Sequence, residues 1–321
     1  MTLKHTGITR LGYVRVAVPA EGFDRARDFY RDTLGLLETG AANGAVQLRC
    51  WHEPYAYSML LEKGARSMLV EVGFQVRDAA DLERLSARVE AAGVAVARAG
   101  AGEAGPGLSE SIAFVVPNGP RVRLFHYMQQ PGYIAGHQSP DWVAPRAVRG
   151  TPAPMFLNHV AFTSDAPAAT VRFLTEVLGF FVSEKIVSEN GENLLSALLF
   201  RMSKNVGGQE LAIFPGERGR LHHIAFTKED ASDILVDGQY LRQDGVALEL
   251  TGPTRQPYGN TFSLHFRDPH NLRLELCSGG RMTEAHPEFE PVVWTESNAA
   301  RAWAYYDDLP GFDFLSHCEC A

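Results

Sequence analysis

One short unit recurs four times along this chain of 321 residues, and that recurrence constrains the fold more than any other feature. Leu157-Asn158-His159-Val160-Ala161-Phe162 returns as Leu221-His222-His223-Ile224-Ala225-Phe226. The first half carries weaker counterparts, Leu11-Gly12-Tyr13-Val14-Arg15-Val16 and Leu69-Val70-Glu71-Val72-Gly73-Phe74. Repeated units fold alike and place matched positions around a common centre. His159 and His223 hold the same place in their units, so they are expected to converge. Strand side chains alternate between faces, which puts His222 on the face opposite His223, as a neighbour of the site or facing the substrate. A carboxylate late in the same half, Glu275, would complete a two-histidine, one-carboxylate metal site with open positions.

Apolar spacing supplies the elements around each unit. Phe23, Ala26, Phe29, Tyr30 and Leu34 recur at three- and four-residue intervals and predict a helix over residues 23–36, closed by Gly35. Val171, Phe173, Leu174, Val177 and Leu178 predict its counterpart over residues 166–180, stopped by Gly179. Second helices are predicted over residues 79–92 and 232–242, and each half closes with β-rich segments, residues 112–127 and 261–277. The pattern is an α+β chain of four βαβββ modules paired into two domains. Residues 1–130 form a domain without metal, 131–154 a proline- and glycine-bearing linker, and 155–280 the catalytic metal-binding domain. Residues 281–321 form a tail whose Trp294, Trp303, Tyr305, Tyr306, Phe312 and Phe314 predict packing back onto the body.

Composition narrows the class. Hydrophobic residues at 45% and charged residues at 21% suit a soluble globular protein. A formal charge of −8 argues against a general nucleic-acid binder, which presents a basic face. No apolar run reaches bilayer-spanning length, and the first residues have no apolar stretch of the signal-peptide kind. Four cysteines, Cys50, Cys277, Cys318 and Cys320, make no disulfide framework in a chain this long. A reducing cytoplasm is therefore expected, and it suits a redox-sensitive ferrous ion.

Glu275 follows the Asp268-Pro269 turn, and Leu274 and Leu276 beside it should face the core, leaving the carboxylate on the other side. Two neutral imidazoles and one carboxylate suit Fe(II), Mn(II) or Co(II), with room for a chelating substrate and dioxygen on one ion. In the first half the corresponding places read Tyr13, Glu71 and Leu124. An apolar Leu124 cannot ligate, so one metal per chain is expected, in the second domain.

The motifs NHVAF (158–162), RLHHIAF (220–226), GPTR (252–255) and RDPHNLRLE (267–275) resemble those of type I extradiol ring-cleavage dioxygenases of the vicinal-oxygen-chelate superfamily. The resemblance covers nearly the whole chain. It implies two vicinal-oxygen-chelate domains, His159, His223 and Glu275 as ligands of Fe(II) or Mn(II), a small aromatic diol and O2 as substrates, and a homo-oligomer. Arg301 falls near the place where related enzymes hold an arginine for a substrate carboxylate, and Arg255 is a further substrate contact. Three departures stand out. Members usually carry a His-Asp pair about fourteen residues before the second histidine ligand, where this chain has Gln209-Glu210. They usually have a histidine after the Gly-Pro-x-Arg stretch, where Gln256 stands, and a tyrosine about ten residues before the glutamate, where His265 stands. Glutamine hydrogen-bonds but does not exchange a proton near neutral pH. The acid-base work therefore falls to His265, with an unperturbed pKa of about 6.5, and secondarily to His222.

Two other classes stay open: a metal-dependent isomerase, lyase, hydrolase or other oxygenative enzyme on the same scaffold, and a non-catalytic protein that binds an aromatic compound. An intact metal triad counts against the second. His317-Cys318-Glu319-Cys320 lacks a partner pair and is expected to be a loose tail rather than a metal patch. The glycine-rich run over residues 99–107 lacks a strand-to-helix setting and reads as a flexible loop.

Overall fold

The computed structural model describes residues 7–131, 147–148, 151–201, 209–249, 253–298 and 318–320. Strands form where apolar residues alternate. Along Phe156–Ser164, Val160 and Phe162 enter the main hydrophobic core while Ala161 joins a smaller cluster on the opposite face. The βαβββ order is present four times. The first module runs Ile8–Pro19, helix Phe23–Asp28, then Leu37–Ala42, Ala45–Arg49 and Met59–Gly64. The second runs Met68–Val76, helix Ala79–Ala91, then Ala97–Ala99, Ser111–Val115 and Arg121–Phe125. The third has Phe156–Ser164, helix Pro167–Glu176, then Phe181–Val187, Leu194–Phe200 and Leu211–Pro215. The fourth has Leu221–Thr227, helix Ala231–Gln243, then Thr254–Gln256, Thr261–Arg267 and Arg273–Gly279.

In every module the first strand lies parallel to the last, and within each half the two first strands pair antiparallel. Two curled sheets result, one per half. Val292–Thr295 extends the outer edge of the second sheet beside Phe181–Val187. Helix signals in the chain act as expected. The Asp78 side chain accepts from the Asp81 amide at 2.9 Å, satisfying a free N–H at a helix start. Pro167 opens its helix, where it removes no internal hydrogen bond. Gly35 and Gly179 take φ of 91° and 79° to leave theirs.

The first helix departs from a single α-helix over residues 23–36. It is α-helical over Phe23–Asp28 and then makes a π-helical turn, Phe29–Thr33, in which the Leu34 amide donates to the Phe29 carbonyl at 2.9 Å. The wider turn lets both neighbouring aromatics face inward: Phe29 packs on Phe266, and the Tyr30 hydroxyl donates to Asp268 at 2.8 Å. Phe74 on Phe180 and Phe114 on Phe173 make further contacts between the halves, and one core cluster draws residues from both.

Residues 318–320 are not a loose tail. The Leu221 amide donates to the Cys318 carbonyl at 2.9 Å, the Cys318 amide donates back at 2.6 Å, and Glu319–Cys320 pairs with the start of Met68–Val76. Stretches of inner strands left unpaired beyond their neighbours, at Met68–Leu69 and Leu221, supply backbone partners that the sequence of this segment does not reveal. Trp294 lies on Val292–Thr295, whereas Trp303, Tyr305, Tyr306, Phe312, Phe314 and most of the linker lie outside the described residues. No helix among the described residues is long and apolar enough to cross a membrane.

Candidate metal centre

His159, His223 and Glu275 come from three adjacent strands and are all buried, with their ligand atoms within 4.8 Å of one another. His159 Nε2 lies 2.8 Å from His223 Nε2 and 3.2 Å from Glu275 Oε2, and His223 Nε2 lies 2.9 Å from the same oxygen. Register explains the convergence. Ala225 is the Cα partner of both His159 and Glu275, and His223 sits two residues before it.

The surrounding groups aim these atoms. His159 Nδ1 donates to Asn158 Oδ1 at 2.7 Å, which leaves Nε2 with a lone pair, and Asn158 Nδ2 donates onward to Thr227 Oγ1 at 2.7 Å. His223 Nδ1 lies 2.6 Å from His222 Nδ1, so the Nδ1 proton has an acceptor and Nε2 again faces the centre. Ser263 Oγ donates to Glu275 Oε1 and leaves Oε2 for the shared point. Such outer partners set tautomer and direction at metal sites. Burial pushes the His265 imidazole down to about 3 and that of His223 down to about 4. Burial also works to raise Glu275, but the ring nitrogens of His265, His159 and His223 gathered on it hold it well below the usual carboxylate range. Neutral imidazoles and an ionised carboxylate are the states that ligation requires. Two lone pairs and a carboxylate oxygen aimed at one another suit a divalent cation, and the donor set matches the facial arrangement with open positions.

His222 does not sit apart on the opposite face. The pairing of Phe156–Ser164 with Leu221–Thr227 matches Ala161 to His223 and Phe162 to Leu221, so His222 is an extra, bulged residue. A bulge breaks strict alternation, and the His222 ring packs against both His223 and Phe214. A second bulge at Asn158 brings that side chain to His159 in the same way.

The other expected residues divide. His265 is the Cα partner of Glu275, its Nε2 lies 3.7 Å from Glu275 Oε2, and its ring meets that of His223 edge-on at 4.9 Å. Gln209 Nε2 lies 3.3 Å and 3.4 Å from the two ring nitrogens of His159, and Gln209 Oε1 has no hydrogen-bond partner among the described residues. Gln256 is buried and its Nε2 is likewise without one. Arg255 is exposed and donates to the Asn260 carbonyl at 3.3 Å. Arg301 lies outside the described residues. Sequence reasoning passed over Asn158, Ser263 and Thr227. Asn158 stood inside the repeated unit, and Ser263 lies two residues before His265 on one strand, so both were within reach of a face-by-face reading.

The first half holds a corrected counterpart. Strand pairing matches Gly73 with both Tyr13 and Arg123, as Ala225 is matched with His159 and Glu275, so the equivalent of Glu275 is Arg123 rather than Leu124. One residue of register separates the two and reverses the face. Arg123 Nε donates to Glu71 at 2.9 Å and 3.0 Å, the Tyr13 hydroxyl donates to Glu71 at 2.7 Å, and Arg123 Nη1 donates to Ser111, which occupies the place of Ser263. A guanidinium thus stands where the second half gathers ligand atoms.

Fold and site together define a class: two βαβββ pairs with a buried two-histidine, one-glutamate centre in the second. Residues 156–276 match the Glyoxalase/Bleomycin resistance protein/Dioxygenase superfamily, and residues 71–128 match the Catechol 2,3-dioxygenase-like N-terminal domain. The two matches fall one in each half, and the chain is similar to that superfamily, on the side of its extradiol dioxygenases. Among its relatives, a metapyrocatechase of Pseudomonas sp. (strain CF600) is 27% identical over 312 residues, 97% of this chain and 98% of its own. A manganese-dependent 2,3-dihydroxybiphenyl 1,2-dioxygenase of Geobacillus genomosp. 3 is 26% identical over 98% of this chain and 99% of its own. The solved 2,3-dioxygenase LapB from Pseudomonas sp. KL28 superposes with a TM-score of 0.82 at 28% identity, covering 92% of this chain and 100% of that one.

Proposed function

We propose that this chain is an extradiol ring-cleavage dioxygenase that opens a catechol-like or polyhydroxylated aromatic ring with O2, using Fe(II), with Mn(II) as the alternative ion. The observation that carries the reading is the convergence of His159, His223 and Glu275 on one buried point. Relatives that span nearly the whole chain and are named for diol dioxygenation support it. When bound, the ion would supply a Lewis acid that lowers the proton affinity of a chelating diol.

The protein's own groups do the rest. His159, His223 and Glu275 would hold the ion and leave it open to substrate. Asn158, His222 and Ser263 hold the ligand atoms in place. Gln209 and Gln256 offer hydrogen bonds without proton exchange. His265, whose Nε2 lies 3.7 Å from Glu275, is the residue to which this proposal assigns taking a diol proton and returning it, and burial, which lowers its imidazole to about 3, opposes that uptake. Arg255 and Arg301 remain contacts for the ring substituent in this proposal, Arg301 on sequence alone. Four free cysteines support a reducing, cytoplasmic setting. A homo-oligomer belongs to the same proposal.

Anaerobic loading with Fe(II), followed by oxygen uptake over a panel of catechols and trihydroxybenzenes, tests the reading. One O2 consumed per ring-opened semialdehyde is expected. No uptake with any chelating phenol, together with turnover on Ni(II) or Zn(II), would move the assignment to an isomerase, lyase or hydrolase.

A further inference from the structure

Glu184 is a buried carboxylate that the chemistry above does not use. It lies on Phe181–Val187, on the register row that runs from His223 through Ala161, Ala212 and Leu198. Three donors from three separate segments meet on it. The Gly259 amide donates to Oε1 at 2.9 Å, Arg281 Nε donates to the same oxygen at 2.7 Å, and Trp294 Nε1 donates to Oε2 at 2.9 Å. Gly259 belongs to the turn between Thr254–Gln256 and Thr261–Arg267. The Arg281 amide donates to the Gly259 carbonyl at 2.9 Å and closes the ring of contacts.

The turn leads back to the metal ligands. Gly259 has φ of +82°, and a Cβ added there would lie 3.3 Å from Gln209 Oε1 and 3.5 Å from Leu198. Gln209 in turn touches both ring nitrogens of His159. Tyr258, next to Gly259, is buried with its hydroxyl 3.1 Å from Ser196 Oγ. Close backbone approach at a glycine makes the seat of this turn sensitive to small shifts. A carboxylate accepts only, and hydrogen bonds to a charged acceptor are the stronger kind.

We propose that Glu184 is a latch that seats the Tyr258–Gly259 turn on the metal centre, a positioning residue acting through Gly259 and Gln209. Gln209, which this turn backs, meets the ring of His159. Glu184 itself is hydrogen-bonded to Gly259, Arg281 and Trp294 and acts only through the turn. The latch rests on the proposed dioxygenase reading only for its effect on turnover.

The test uses the full, metal-loaded chain and the variant Glu184→Gln, which keeps the shape and removes the charge. Hydrogen exchange at the Gly259 amide should quicken about tenfold or more, since one charge-assisted bond is worth at least that factor. Bound metal should stay unchanged. With a catechol that the wild type turns over, kcat/KM should fall about tenfold in Glu184→Gln yet hardly change when Gln209→Ala is already present, as expected for residues acting in series. Trp294→Phe removes a single donor and should move exchange in the same direction by less, which keeps the idea testable if Glu184→Gln fails to fold. Unchanged exchange at Gly259 in the variants that fold, or an equal activity loss with and without Gln209, would overturn the latch. Wild type that consumes no O2 with any diol would sink the dioxygenase reading while leaving the exchange result to decide the latch.

Discussion

Three small side chains aim the candidate metal ligands: Asn158 receives the His159 Nδ1 proton, Thr227 receives a proton from Asn158, and Ser263 holds one oxygen of Glu275. Groups in such places typically alter metal affinity about 10–100-fold when lost. Asn158→Ala and Ser263→Ala should therefore each weaken Fe(II) binding by roughly that factor in a chelator competition, and an affinity equal to wild type would deny them the role. His265 belongs to a different kind. It is the titratable ring placed against Glu275 and His223 without being one of the three ligands. His265→Ala should cut turnover about 10²–10⁴-fold while metal content, measured by plasma emission, stays near one ion per chain. A variant that turns over at the wild-type rate would make His265 a space-filler.

Among the elements, strands with bulges build the site and a turn in the first half braces it. Trp51 and His52 donate backbone bonds to the Pro154 and Met155 carbonyls at 3.2 Å and 3.1 Å. Glu53 Oε1 accepts from the Leu157 amide at 3.4 Å, two residues before His159. Burial raises the Glu53 carboxyl to about 7, against the pull of Arg10, the Ser58 hydroxyl and Arg49. The folded chain therefore holds this proton more tightly than the unfolded chain, whose glutamate titrates near 4.3. Glu53 contributes stability below that lower value and loses it as pH rises through about 7. Glu53→Gln should remove this loss, so its melting temperature should fall less than that of wild type between about pH 5 and about pH 8. Parallel curves for the two proteins would refute the assignment.

At the scale of the whole molecule, two halves of the same architecture carry opposite solutions at equivalent places. The second half leaves a cation-binding cluster, whereas the first fills it with Arg123 and Arg15 around Glu71. Removing one partner of a buried pair leaves the other desolvated, at a cost of about 3 kcal/mol. Arg123→Met should lower unfolding free energy by roughly that much in urea while leaving one bound metal per chain. Gain of a second ion would show the first-half cluster to be a latent metal site. The division into domains at residues 131–154 is carried as our proposal, supported by one pair of modules in each half.

Repeated units and apolar spacing determined the four modules and, with the Leu274-Glu275-Leu276 alternation, the three converging side chains. Apolar alternation and matched positions are local properties that a chain displays without its partners. Only the tertiary structure decided what one residue of register changes. The bulge at His222 turned that ring toward His223, and strand pairing set Arg123, not Leu124, opposite Gly73. It also gathered on Glu184 donors that lie 75, 97 and 110 residues away along the chain. No local pattern encodes such meetings, because a bulge is defined by the strand it pairs with and a buried carboxylate by whichever segments close over it.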